Sequence, residues 1–578
     1  MDAVRGRDHH WVLMYCEIVW IFIISLWPVS SRTAIKLRQG TLIGSDQATV
    51  FGGRRYYAFY GVPYAAPPVG RLRFRDPRPP KAWDEPLDAS VEFHGSCAQA
   101  HVVHKHALYG VEDCLYLNVF TPHIPSDRNE TMRPVLVWIH GYAFSTSFSH
   151  IYGSDFLIDN DVLLVTLSHR IGVFGFLKMN KTDTNVNMGL KDIVMALKWI
   201  KKNILYFGGD KKKVTLMGSS SAATFISLLL MTKHRKLFSK IILHSGALFS
   251  PSIFQGDPDL ELSRLKKNLK EITNKDITKA AARDIIQASL KIYSNRDIMN
   301  FQRSVVPFSP IVEEPRNTSL ITKHPDDFFK SNRKVFNIPI LTGFNSQESI
   351  AEVIPFLHNP RFLKSLSTFF KYMVPFSNKC AYNYTTEHFK KISRLVKDHY
   401  FEKGISETSI DDFMRYVSDL YKFPILKMVD VYLKKKKEVY MYKFNYVGTL
   451  NAVKSTATAA LTVKVKGAAG GDETCYIFRC EPLWEQYKAL MGNVSNKDRI
   501  LIKVLSELWA NFAKTGIPTA PTSAANITWL PMTAKHDYVL SIGSELKMIA
   551  SKSEKSMYNF WQGLFNTYYS DDLYHSYP

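Results

Sequence analysis

Between residues 134 and 230 the chain alternates short, unbroken apolar runs with longer stretches of helical spacing. Pro134-Val135-Leu136-Val137-Trp138-Ile139 and Val162-Leu163-Leu164-Val165-Thr166-Leu167 are too short for typical helices and show no polar alternation. They predict strands buried on both faces. Over residues 189–207 the period changes, and Ile193, Ala196, Leu197 and Ile200 fall on one face of a helix. Val214-Thr215-Leu216-Met217 predicts another strand. It runs into Gly218-Ser219-Ser220-Ser221-Ala222-Ala223 and then an apolar helix reaching Leu230. Strands alternating with helices predict an α/β fold, a mostly parallel sheet covered on both faces. Residues 250–440 are richer in charged helical segments and are expected to cap that sheet. No internal repeat or low-complexity tract is visible.

Composition fits this picture. Hydrophobic residues make up 46% and charged residues 22% of 578 positions, the balance of a globular chain. The length suits one large α/β domain over residues 32–578. The formal net charge is +22, which favours anionic partners such as a glycan or a membrane surface. No nucleic-acid-binding module is visible. The densest lysine runs, Lys211 to Lys213 and 434–437, read as solvated loops.

Residues 1–31 read as a signal peptide. Arg5 and Arg7 precede an apolar stretch over 11–27, and Val29 and Ser31 offer small residues at a cleavage site. Glu17 interrupts the apolar run; an uncleaved anchor is the alternative. Secretion is expected. Asn129, Asn180, Asn317, Asn383, Asn493 and Asn526 each begin an Asn-x-Ser/Thr sequon and are the glycosylation candidates. Beyond Cys16 in the leader, the cysteines are Cys97, Cys114, Cys380, Cys475 and Cys480. Their odd number predicts a free thiol or an intermolecular bridge, and the partners of the last three stay open. His101, His104 and His106 have tempting spacing, but no acidic or cysteine partner converges on them in sequence, so no metal site is expected.

The ordered landmarks identify a family. Tyr60-Gly61-Val62-Pro63-Tyr64-Ala65 is followed by Pro67-Pro68-Val69-Gly70, then by Glu112-Asp113-Cys114-Leu115-Tyr116-Leu117-Asn118. Asn187-Met188-Gly189-Leu190-Lys191-Asp192, Phe207-Gly208-Gly209-Asp210 and Trp509-Ala510-Asn511-Phe512-Ala513-Lys514-Thr515-Gly516 come later, ahead of Trp529-Leu530-Pro531. This series resembles the type-B carboxylesterases, the family that includes cholinesterases. The resemblance implies an α/β-hydrolase fold, no cofactor, and a disulfide between Cys97 and Cys114.

It also implies a catalytic layout. Ester hydrolysis on this fold needs a serine activated by a histidine, a carboxylate to orient that histidine, and N–H donors for the oxyanion. The family's Gly-Glu-Ser-Ala-Gly elbow matches residues 218–222 and places the nucleophile at Ser220. Here Ser219 replaces the acid and Ala222 the second glycine. Gly343-Phe344-Asn345-Ser346-Gln347-Glu348 matches the strand end bearing the acid, Glu348. The histidine motif resembles Gly467-Ala468-Ala469-Gly470-Gly471-Asp472-Glu473 without a gap, and Gly470 holds the histidine position. An unfilled gap is expected there.

The oxyanion loop, His-Gly-Gly-Gly-Phe in the family, reads His140-Gly141-Tyr142-Ala143-Phe144. Its donors would come from Gly141, Tyr142, Ala143 and Ser221. Tyrosine at 142 is strained if that position needs positive φ. His140, His169 and His244 are the other histidines near these strands and read as core or loop residues.

The leading expectation is a secreted, catalytically impaired or inactive relative that binds a hydrophobic, ester-like small molecule or a protein partner. The alternatives are a working serine carboxylesterase with a non-standard base and an anchored adhesion protein.

Overall fold

The computed structural model describes residues 32–568, apart from 92–94, 101–107, 128–129, 181, 184, 251–252, 255–256, 294–306, 332–333, 375–386, 462–463, 522 and 524. The leader, the histidine trio at 101–106, Cys380, Asn129 and Asn383 lie outside the described residues.

One large sheet organises the chain. Its strands are β1 (Arg32–Lys36), β2 (Thr41–Ala48), β3 (Arg55–Pro63), β4 (Leu87–Asp88), β5 (Tyr116–Thr121), β6 (Arg133–Ile139) and β7 (Leu163–Leu167), followed by β8 (Gly209–Ser219), β9 (Lys240–His244), β10 (Ile340–Asn345), β11 (Val439–Phe444), β12 (Tyr538–Ile542) and β13 (Leu546–Ala550). They lie in the order β1-β2-β3-β5-β7-β6-β8-β9-β10-β11-β12-β13, with β4 beside β2. All neighbours from β7 to β12 are parallel. The β1-β2-β3-β5-β7 edge and the final β12-β13 pair are antiparallel.

The predicted two-sided burial is borne out along β6. Val135, Val137 and Ile139 enter one hydrophobic cluster, whereas Leu136 and Trp138 enter the cluster on the other face. Strand periodicity alternates side chains between faces, so an all-apolar strand demands cover on both. Helix α1 (Met188–Asn203) and the elbow helix α2 (Ser221–Leu229) cover the first face. Helix α4 (Lys497–Thr515) covers the second. The long helix α3 (Ile410–Lys434) leads into β11. The helix expected over 189–207 ends in a 3₁₀ turn at Ile204–Phe207, and Gly208 at φ +80° reverses the chain.

Two expectations need adjustment. Lys211, Lys212 and Lys213 are solvent-exposed as expected but lie within β8, not in a loop. Cys475 and Cys480, left without partners by the sequence, are bonded to each other, and Cys97 is bonded to Cys114.

Registers bring the carboxyl ends of β8, β9 and β10 into line: Ser219 pairs with His244, and His244 with Gly343. Ligand sites in open parallel sheets form at such strand ends.

Candidate active site

Ser220 sits between β8 and α2 at φ 54°, ψ −122°, a conformation sparsely populated by residues other than glycine. Its N–H donates to the His244 carbonyl at 2.9 Å, and its carbonyl accepts from Thr224 N–H at 3.2 Å. Small residues make this turn fit. A Cβ on Gly246 would collide with the Ser220 carbonyl. A Cβ on Gly218 would stand 2.9 Å from Ile226 Cδ1 and 3.0 Å from the Ile139 carbonyl. This is the strand–turn–helix geometry of a nucleophile elbow. Ala222, where the family has glycine, is fully buried against the oxyanion loop, and a Cβ on Gly141 would lie 3.6 Å from its Cβ.

Glu348 follows β10 and is 5% exposed. Its Oε1 accepts from Ser245 Oγ at 2.7 Å and from Asn345 N–H at 2.6 Å. Burial, reinforced by repulsion from Glu473, pushes its pKa up to about 8 against these hydrogen bonds.

The segment facing it is held in register by its backbone. Gln347 N–H donates to the Ala468 carbonyl at 2.9 Å, Gly470 N–H donates to the Glu348 carbonyl at 3.3 Å, and Ser346 Oγ accepts from Ala468 N–H at 2.9 Å. Gly470 is therefore the residue placed against Glu348. The expected gap is not empty, because a Cβ on Gly470 would collide with Glu348 Oε2. The carboxylate leans into that position.

The oxyanion loop also departs from expectation. Tyr142 is not at positive φ; Ala143 (φ 48°) and Phe144 (φ 56°) are. The residues after Tyr142 make the reversal, so tyrosine itself escapes the strain. What changes is its donor. Tyr142 N–H donates to the Thr146 carbonyl at 2.9 Å, and Thr146 N–H returns to the Tyr142 carbonyl at 3.1 Å. That N–H is engaged within the loop. The Tyr142 hydroxyl donates to Glu352 Oε1 at 2.9 Å. Gly141 stays against the elbow: a Cβ there would lie 3.1 Å from Ser221 Oγ, a buried hydroxyl without a partner among the described residues.

None of the three neighbouring histidines is hydrogen-bonded to the Ser220 hydroxyl among the described residues, and each has structural partners. His140 Nδ1 accepts from Phe148 N–H at 2.8 Å, and burial pushes its pKa down to about 3. His169 places its two nitrogens 3.1 Å and 3.3 Å from the Arg170 and His140 carbonyls. His244 Nε2 accepts from Trp509 Nε1 at 3.1 Å, which leaves the ring proton on Nδ1 facing Glu473 and Tyr442. Asn345 ties this buried network to the acid by donating to Ser245 Oγ and Glu473 Oε2.

Sequence reasoning missed Ser245 and Glu352 as partners of the site's residues. The one local signal was a second glutamate four residues after Glu348.

A model of the carboxylesterase family matches residues 31–561. Juvenile hormone esterase of Heliothis virescens is 29% identical over 497 residues, covering 82% of this chain and 84% of that protein. Carboxylesterase 5A of Felis catus is 29% identical over 569 residues, covering 94% and 96%. The crystal structure of Manduca sexta juvenile hormone esterase, with OTFP covalently attached, superposes with a TM-score of 0.76 at 25% identity, over 93% of this chain and all of that one. With the elbow, the acid loop and the strand order in place, the chain belongs to the carboxylesterase family and has its α/β-hydrolase fold.

Proposed function

We propose that this protein is a secreted glycoprotein that hydrolyses esters poorly or not at all. It acts by binding a hydrophobic, ester-like small molecule or a protein partner through the inherited pocket. One observation carries the reading: the backbone pairing around Gln347 and Ala468 sets Gly470, which can neither take nor return a proton, against the carboxylate that would orient a histidine. Loss of the histidine in a serine hydrolase costs about 10⁶ in turnover, on the order of 8 kcal/mol of barrier. The engaged Tyr142 N–H adds to this, since one oxyanion donor is worth roughly 10²–10³. The two losses need not multiply, but the first suffices.

The extracellular part of the proposal is supported by two disulfides and by Asn180, Asn317, Asn493 and Asn526, all of them exposed. Among the described residues no helix is long and apolar enough to cross a membrane.

The test is turnover of an aryl acetate by secreted, glycosylated protein, with Ser220→Ala as background. The expected result is equal, negligible rates. Hydrolysis at about 1 s⁻¹ or faster that Ser220→Ala abolishes would instead establish an active serine carboxylesterase with a non-standard base.

A further inference from the structure

Three basic segments meet at the amino ends of β8 and β9, the end of the sheet opposite the elbow. Lys198, Lys201 and Lys202 lie at spacings of three and four near the end of α1, so they share a helix face. Lys211, Lys212 and Lys213 belong to the start of β8. Lys233, Arg235 and Lys236 lie on the 3₁₀ turn Lys233–Leu237, which leads into β9. The segments are joined directly. Lys201 Nζ donates to the Lys211 carbonyl at 3.0 Å, Ser239 N–H donates to the Val214 carbonyl at 2.8 Å, and Thr215 pairs with Lys240. His234 lies among them: burial, then repulsion from Lys198 and Lys233, lowers its pKa.

The charge here is uncompensated. Residues 198–213 hold six lysines against one acid, and residues 233–236 hold two lysines and an arginine against none. The one acid, Asp210, accepts from Lys212 N–H at 2.8 Å. Lys201, Lys233 and Arg235 donate to backbone carbonyls. None of the nine cations pairs with a carboxylate among the described residues. Elsewhere lysines of this chain do find acids, as Lys191 finds Asp76, Lys427 finds Asp326 and Lys443 finds Glu554. Lysines at the carboxyl end of α1 complement its exposed carbonyls, which accounts for Lys201 and Lys202. The cations on β8 and on the 3₁₀ turn have no such role. Those adjacent in sequence stand within a Debye length of about 8 Å and repel one another.

The exposed residues of these segments include no large apolar side chain that could enter a bilayer. The face therefore suits a hydrophilic, charge-dense polyanion better than a lipid surface. It also stands clear of the elbow, since the six residues from Lys213 to Ser219 span about 20 Å along β8.

We propose that this face binds a sulfated glycosaminoglycan. Sulfates take the places of the missing carboxylates, and release of the polyanion's condensed counterions drives association. A chain held there leaves the strand ends that carry Ser220 and Glu348 unobstructed. The choice of a glycan rests on the proposed secretion, which brings the protein to such chains.

The experiment is titration of the full chain, purified, with a heparin dodecasaccharide at about 0.15 M salt. Hyaluronan of equal length, which carries carboxylates but no sulfate, and phosphatidylserine vesicles are titrated alongside. Heparin is expected to bind, the other two at least about tenfold more weakly, and heparin affinity to fall steeply with added salt. Replacing Lys211, Lys212 and Lys213 together by glutamine should weaken heparin binding at least about tenfold. Lys198→Gln, Lys202→Gln and Lys236→Gln, on the two other elements, form a second set with the same expected loss. The control set removes as much charge elsewhere: Lys266→Gln, Lys267→Gln and Lys270→Gln, on the helix Pro258–Lys270, should change heparin affinity by no more than about twofold. All nine substituted side chains are exposed, so melting temperatures should stay unchanged. Equal losses in patch and control sets would make net charge responsible, not this face, and overturn the proposal. So would hyaluronan or vesicles matching heparin, or no heparin binding at that salt. The titration is read on purified protein, so its failure is distinct from failure of the proposed secretion, which retention of the chain inside cells would refute.

Discussion

The strand ends that carry Ser220, Ser245 and Glu348 contrast with the two loops that face them, residues 140–148 and 467–473. At the strand ends, parallel registers fix each residue, glycines at 218 and 246 admit the close approach, and the elbow keeps its strained φ of 54° at Ser220. In the loops the backbone path is equally well tied, but to partners within the loops and the neighbouring acid. Tyr142 N–H turns to Thr146, and the position against Glu348 has no side chain. Folding depends on the first region, because its residues are also the sheet core. Chemistry in this family draws on the second, where a partly exposed side chain such as Tyr142 can be replaced at little cost in stability. Loops can therefore lose a reaction while the fold persists.

The largest expected effect follows from breaking the scaffold rather than the loops. Arg170 is buried and reaches Asp192 through Nε at 2.8 Å and Nη2 at 2.7 Å, while Nη1 donates to the Arg75 carbonyl at 2.8 Å. Both side chains are almost inaccessible. Arg170→Met leaves Asp192 charged and unpaired, at an expected cost of about 3–5 kcal/mol. Denaturant unfolding and secreted yield should both show it, whereas Tyr142→Phe, at a partly exposed ring on the facing loop, should leave yield intact. Comparable yields for the two variants would erase the contrast between the regions.

The next effect tests the proposed impairment at the loops. Gly470→His must push Glu348 Oε2 aside and still faces an oxyanion loop whose Tyr142 N–H is engaged, so it should gain little aryl-acetate turnover. Adding Tyr142→Gly and Ser219→Glu should gain about 10² further, the worth of one preorganised donor. If Gly470→His alone matches the triple variant, the oxyanion loop is sound and the histidine position is the whole deficit.

Much of this was legible beforehand, for identifiable reasons. The buried strands announced themselves because apolar runs leave no polar face. The elbow did so because Gly218, Ser219, Ser220 and Ser221 are consecutive and small. Ser220, Glu348 and Gly470 were assigned from local motifs, and local motifs survive because each is one strand end or turn. Contacts across the chain were not legible. Tyr142 meets Glu352 across 210 positions and His244 meets Glu473 across 229. Nothing near either residue encodes its partner. Tyr142 strains the loop only if its own φ is positive, and only the folded path shows that positive φ falls one and two residues later. The Cys475–Cys480 bond stayed ambiguous because Cys380 offered each a rival partner.

The smallest effect comes from pH and tests whether Glu348 is ionised in the folded protein. A carboxylate paired with a histidine would carry charge near neutrality, whereas burial and the neighbouring Glu473 hold the Glu348 pKa at about 8, above the ordinary 4.5. The folded state then binds a proton that the unfolded chain has released between those values. The resulting stabilisation is complete below about pH 4.5 and is lost as pH rises through about 8. Glutamine at 348 can accept from Ser245 and Asn345 without titrating, so Glu348→Gln should gain stability on the parent protein as pH rises from 5 to 9. The expected gain is about 1–2 kcal/mol, read as a widening difference in melting temperature. A difference that stays flat across that range would mean that Glu348 remains ionised when folded, and that a cation not accounted for by Lys422 compensates it.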